Sequence, residues 1–413
     1  MRIHLVARNP TDSVTHGFLP AAARLGADVT VLTDDPAAHR RAYAGLACAP
    51  VAVLGAEVDD ARELIDALSR LGRPDAVLSN SDHLQVQTAL AAEYSGLPAK
   101  PWDAALRCKN KALMRRQIQA SSLDAVFTLE LGRGEELADR PALRLPGPCV
   151  VKPREGVASE DVFLVTDLAE LRARVREIRA RRPGVALVIE EFLDGPLRTL
   201  ETLGDGRDLR VLGGFATRLG PLPHFVERGL DWDPDPGPAV LAQVLRQLRA
   251  LGVGLGACHT EYVVSAGRAR LVEVNYRLIG DQCDLLLADL LADLPAEDLF
   301  ALVLRAHLGE AVAAPPVPPV PQRHARVEYV CAGRGGVLVE APGPADCWDD
   351  TRDDGRQKSV LRYRPLREVG TRAPLTRTNR DYLGVIRALG DDRYAVDRAV
   401  EDFLAAHTWR IGP

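Results

Sequence analysis

The run LVEVNYRLIG, residues 271–280, sets Glu273, Asn275 and Arg277 at alternate positions. In an extended chain these three share one face, and Val272, Val274, Tyr276 and Leu278 share the other. Just upstream, HTEYVV carries Glu261, and the turn signal Ser265-Ala266-Gly267 folds the two runs into a hairpin that pairs Glu261 with Glu273. Adjacent carboxylates repel unless they are protonated or bridged by a cation. Hard oxygen donors suit Mg2+, which keeps phosphate oxygens in its shell. Asn275 adds a neutral oxygen, and Arg277 a fixed charge that can neutralise a transferred phosphoryl group. The competing reading is a solvated strand with charge pairs.

Two further runs carry chemistry. CVVKPREGVASEDVFLV places Lys152 at a strand end beneath a polar loop, as a phosphate clamp or as a solvated ammonium. VIEEFLDG ends a strand in two glutamates, where exposed backbone groups can read an adenine edge; the bland reading is an acidic strand end. His224 and Arg218, in GGFATRLGPLPHFVERG, are candidates for contacting a carboxylate, an amine or an anion, or are surface residues. Asp82 and His83 follow the strand DAVLSN, where α/β folds bind ligands, or they cap a helix. Only five of the 52 basic residues are lysine: Lys100, Lys109, Lys111, Lys152 and Lys358. Asparagine is as scarce, at positions 9, 80, 110, 275 and 379, so either residue inside a structured motif is informative.

The elements that must position these groups follow from periodicity. Residues 1–105 alternate short β-branched runs (RIHLVA, DVTVLT, DAVLSN) with helical patterns, which predicts a parallel α/β domain. A helix is expected over 103–119, then strands at PCVVKP, VFLVT and ALVIEEFL around a charged helix over 167–182. LRTLETLGDGRDLRVLGGFATRLG reads as antiparallel strands turning at Gly-Asp-Gly, and residues 238–251 as a helix before the hairpin. Helices from Asp281 and Pro295 close a unit spanning 106–313, divided near 190. Residues 314–322 (APPVPPVPQ) form a stiff proline-rich linker, and 323–413 a small α+β region ending in a helix over 394–407.

The 413 residues are 46% apolar and 26% charged, an ordinary globular composition with material for two or three domains. A net charge of −5 gives no basic field for nucleic acid or anionic lipid. No signal-peptide pattern or long apolar run appears, and the seven scattered cysteines form no CxxC pair. A cytoplasmic protein with reduced thiols is expected. Neither GxxxxGK[ST] nor a GxGxxG turn after the first strand is present.

The order KNKALMR, VVKPREGVAS, VIEEFLDG, HTEYVV, VEVNYRLIGD resembles the ATP-grasp superfamily of carboxylate–amine ligases, most closely its L-amino acid ligase branch. The resemblance implies an ATP-grasp fold with a Rossmann-like N-terminal domain and a C-terminal cap. It implies ATP and Mg2+ (or Mn2+) as cofactors, and small-molecule carboxylate and amine substrates, with a homodimer open. By position, Lys111 and Lys152 would hold ATP phosphates, with Ser159 in the covering loop. Glu190, Phe192 and Leu193 would flank adenine, and Glu261, Glu273 and Asn275 would bind metal. Arg277 would stabilise an acyl-phosphate, with His224 near the amine. Leu197 stands where many relatives carry a ribose-binding glutamate, Glu201 follows four residues later, and Asp161 replaces a common glycine. An inactive nucleotide-binding scaffold and a bicarbonate-using carboxylase are the alternatives.

Overall fold

The computed structural model describes residues 1–137, 143–292, 298–312, 323–348 and 359–413. The proline-rich linker at 314–322, Pro295 and Lys358 lie outside the described residues.

The N-terminal alternation folds as its periodicity predicts. β1 (Arg2–Val6), β2 (Asp28–Thr33), β3 (Ala52–Gly55) and β4 (Ala76–Leu78) form a parallel sheet in the order β3-β2-β1-β4. Its helices are α1 (Leu19–Arg24), α2 (Pro36–Tyr43), α3 (Ala61–Arg70) and α4 (Gln85–Tyr94). Asp35 and Asp60 cap α2 and α3 by accepting backbone N–H groups at 3.0 and 2.8 Å.

The helix expected over 103–119 is two helices, α5 (Trp102–Lys109) and α6 (Lys111–Ala120). Asn110 separates them with φ −96 and ψ 103, and its side chain accepts from Leu113 N at 3.1 Å, so it N-caps α6. Lys111 therefore starts a helix, with Arg115 one turn on. A small antiparallel sheet follows, in the order β5-β8-β6-β7, from β5 (Thr128–Leu131), β6 (Cys149–Pro153), β7 (Phe163–Val165) and β8 (Leu187–Glu191). α7 (Leu168–Arg181), capped by Asp167, packs Leu171, Val175 and Ile178 into this sheet's core.

Among the described residues the largest sheet has ten strands, and it underlies the site. Its first part comprises β9 (Leu197–Asp205), β10 (Leu209–Gly213), β11 (Phe215–Leu219) and β12 (Glu227–Trp232), then, after α8 (Pro238–Leu251), β13 (Leu255–Ser265) and β14 (Arg268–Asn275). α9 (Asp281–Leu291) and α10 (Leu299–His307) bury apolar faces beside the N-terminal domain. The sheet continues through β15 (His324–Cys331), which pairs with β12; β16 (Gly336–Glu340) belongs to a separate three-stranded sheet. β17 (Ala345–Trp348), β18 (Ser359–Pro365) and β20 (Tyr382–Gly390) complete the path β14-β13-β9-β11-β12-β15-β20-β18-β17, with β10 beside β9. The short β19 (Arg372–Ala373) and β21 (Arg410–Gly412) flank β16, and α11 (Arg393–Ala406) covers β15, β18 and β20 with Val396, Val400 and Phe403. The C-terminal residues thus extend the same sheet that carries the hairpin.

Candidate active site

A cavity of about 300 Å³ lies between the small sheet and the β9–β13–β14 surface. One end is ringed by Lys111, Lys152, Glu190, Glu261 and Glu273, and the other is lined by Phe192, Leu193, Leu197, Phe225, Val263 and Val272. A charged end joined to an apolar one suits a ligand that carries phosphates on an aromatic base.

β6 and β8 bring Lys152 to Glu190, with 2.8 Å between Lys152 Nζ and Glu190 Oε2. From α6, Arg115 Nε donates to Glu190 Oε1 at 2.6 Å, while its Nη1 donates to the Leu271 carbonyl at 2.6 Å. Burial alone would raise the Glu190 pKa, but Arg115 and Lys152 hold it down at about 2. Burial lowers Lys152 against the pull of Glu190. One carboxylate thus keeps two cations, and the lysine holds its proton less tightly than a free one. Lys111 Nζ lies 2.9 Å from Glu273 Oε1; burial opposes its charge, but Glu273 raises its pKa.

The hairpin register sets Glu261 opposite Glu273 and His259 opposite Asn275. A bulge at the Glu261–Tyr262 step leaves Val272 without a partner in the register, and Val272 lines the cavity together with Glu273. The alternation read from sequence fails there. It also fails beyond Asn275, where β14 ends, so Arg277 is on a turn and not on the strand face. The Arg277 N–H donates to the Asn275 carbonyl at 2.7 Å, and Nη1 donates to the Leu278 and Ile279 carbonyls at 2.5 Å. Arg277 Nε is 3.9 Å from Asp82 Oδ1.

No protein-family model matches the chain. Among curated proteins it is 27% identical over 430 aligned residues to an uncharacterised protein of Sinorhizobium fredii, covering 100% of this chain and 84% of that one. It is 27% identical to carnosine synthase 1 of Gallus gallus, over 83% of this chain and 37% of the relative. It is 29% identical to an ATP-grasp enzyme of Aspergillus fumigatus, over 46% of this chain and 32% of the relative. Among solved structures, L-amino acid ligase from Bacillus licheniformis superposes with a TM-score of 0.79 at 20% identity, covering 100% of this chain and 99% of that one. The ADP complex of N5-carboxyaminoimidazole synthetase from Staphylococcus aureus superposes with a TM-score of 0.64 at 13% identity, over 98% and 96%. The chain has the ATP-grasp fold of these structures. It spans about a third of the length of the Gallus and Aspergillus relatives.

Within this fold, the structure places Lys111, Lys152, Ser159, Glu190, Phe192, Leu193, Glu261 and Glu273 around one cavity. Asn275 and Arg277 are not among its lining residues. Glu201 does not line the cavity: it is buried on β9, where Oε1 accepts from Thr199 Oγ1 and lies 2.8 Å from His259 Nδ1. His259 Nε2 is 3.4 Å from Glu261 Oε1. Burial would lower the His259 pKa, but Glu201 and Glu261 raise it to about 10. His224 also stands outside the cavity lining, edge-on to Phe163, with Nε2 3.3 Å from Arg377 Nη1. Arg218 is spent on Asp231 and Glu328, and Lys109 on Asp82.

Ser159 sits in a loop where Ala158, Ser159 and Asp161 have φ of 55, 55 and 58, the left-handed region that favours glycine. Asp161 tolerates it because Arg181 and Arg182 hold its carboxylate at 2.7 and 3.2 Å. Sequence reading passed over Arg115 and His259. Their signals were helical spacing from Lys111 and strand spacing from Glu261.

Proposed function

We propose that the chain joins a carboxylate to an amine at the expense of ATP, with an amino acid as one substrate and a peptide or other specialised metabolite as product. The single observation that carries this reading is the cavity itself, apolar at Phe192 and Leu193 and cationic at Lys111 and Lys152, opening onto the Glu261–Glu273 pair. The backbone at Glu191–Leu193 reads the adenine edge, and the two lysines neutralise phosphate oxygens. Among the described residues no three His, Cys, Asp or Glu side chains form a metal cage. Glu261, Glu273 and Asn275 are an oxygen-only, incomplete set, which fits Mg2+ because that ion completes its shell with water and phosphate. When bound there, Mg2+ would offset charge on the transferred phosphoryl group.

A carboxylate oxygen attacks the γ-phosphorus and ADP leaves. The amine nitrogen then attacks the acyl carbon, losing a proton, and phosphate leaves with the former carboxylate oxygen. Arg277, fixed by its own turn carbonyls, supplies positive charge to the acyl-phosphate and to the oxyanion that follows. The test is phosphate release from ATP with amino acids supplied in pairs. Release that depends on an amine supports ligation; release with bicarbonate alone supports carboxylation, and none with any pair supports a nucleotide-binding scaffold.

A further inference from the structure

We infer that Lys100 is a positioning residue for the reaction: its ammonium holds the Tyr276 carbonyl and so fixes the peptide that carries Arg277. The inference rests on the ligase reading above, in which Arg277 faces the acyl-phosphate.

β14 ends at Asn275, so Arg277 has no strand to orient it. Side chains from other elements hold the turn instead. Lys100 Nζ donates to the Tyr276 carbonyl, Asn80 Oδ1 accepts from Leu278 N at 3.2 Å, and Asp284 accepts from Gly280 N at 2.7 Å. Of the three, the Lys100 contact bears directly on the Tyr276–Arg277 peptide. Lys100 Nζ also donates to Gln85 Oε1 at 2.7 Å, and Gln85 Nε2 donates to the Ser79 and Ser81 carbonyls at 3.0 and 2.8 Å. The next residue is Asp82, whose Oδ1 is 3.9 Å from Arg277 Nε. One ammonium thus links the backbone just before Arg277 to the loop that carries a carboxylate facing its guanidinium. Tyr276 is fixed as well: its ring centroid is 4.5 Å from Lys100 Nζ, and its hydroxyl accepts from Gly254 N at 2.7 Å.

A lysine here works against stability. It is 6% exposed, both acceptors are neutral oxygens, and burial drops its pKa to about 7. Cys108, Cys258 and His307 lie nearby, uncharged near neutral pH: burial raises both thiols, Cys258 to about 12, and lowers His307 to about 3. Gly256, with φ of 83, leaves room for the side chain, since a Cβ there would stand 2.8 Å from Lys100 Cε. An apolar side chain of similar length would fill that room with no charge to bury. The ammonium is therefore explained by what it holds and not by packing.

The experiment takes an amino-acid pair that gives amine-dependent phosphate release. It measures kcat, calorimetric ATP affinity and thermal melting for wild type, Lys100→Met, Arg277→Met and the double variant. Lys100→Met should lower kcat by about tenfold with ATP affinity within about twofold, because a small misplacement of a charged group is felt in the chemical step. In the Arg277→Met background the same substitution should lower kcat by less than about twofold, because its effect passes through Arg277. Lys100→Gln takes its place in both backgrounds if Lys100→Met melts early. Unchanged kcat, an equal loss in both backgrounds, or ATP affinity falling in step with kcat overturns the inference while ligation stands. Amine-dependent release from no pair overturns the ligase reading, and this inference with it.

Discussion

Glu190 is the carboxylate to which the charged end of the cavity is anchored, since Arg115 and Lys152 both close on it. Lys152→Ala is expected to weaken ATP binding by about tenfold or more and to slow turnover, because a phosphate loses a charge-assisted partner. Calorimetry with steady-state rates checks it, and unchanged affinity would remove Lys152 from the site. Glu273→Gln should keep the fold but cut turnover by about 10²-fold or more, as expected for a lost metal ligand. Near-normal turnover at moderate Mg2+ would sink that assignment. Much of this was legible from residue types: scarce Lys111, Lys152 and Asn275 all fall at or beside the cavity. Asn379 is equally scarce, yet no motif surrounds it. Its contact with Glu227, 152 positions away, is one that spacing cannot reveal.

At the scale of elements, the turn after β14 is held by a carboxylate from the start of α9. Asp284 accepts from Gly280 N at 2.7 Å, Ser13 Oγ at 2.6 Å and Asn80 Nδ2 at 3.2 Å. Burial raises its pKa to about 6 despite those donors. An ordinary aspartate titrates near pH ~4, so between about pH 4 and 6 the folded chain holds the extra proton. Stability from this group therefore falls as pH rises through that window, on the order of 3 kcal/mol. Asp284→Asn cannot titrate, and melting temperatures across the window should decline less for the variant than for wild type. Parallel declines would contradict the account. The same turn explains why strand alternation over-read the sequence. The pattern runs on to Leu278, but Asn80 Oδ1 accepts from Leu278 N at 3.2 Å and draws the chain off the sheet after Asn275. α5 and α6 were read as one helix for a similar reason, since no proline or glycine marks the break that Asn110 makes by capping.

Over the whole molecule, the parallel N-terminal sheet and the hairpin were legible because they rest on local period and turn chemistry. The pairing of β12 with β15, which carries the C-terminal residues into the same ten-stranded sheet, was not. It joins strands remote in sequence, and only the register shows it. Through it the turn at residues 376–381 reaches the loop that holds Ala158 and Ser159. At this scale Arg277, where the hairpin strand meets the N-terminal domain, should serve chemistry more than nucleotide binding. Arg277→Met is expected to leave ATP affinity within about twofold while lowering kcat by about 10²-fold, the loss typical of one oxyanion donor. Collapse of affinity with kcat preserved would make it a nucleotide contact. The central claim, ligation through an acyl-phosphate, is tested most directly with a carboxylate substrate labelled with heavy oxygen. After turnover with ATP and an amine, mass spectrometry should find one labelled oxygen in each released phosphate. Amide product accompanied by unlabelled phosphate would contradict the account.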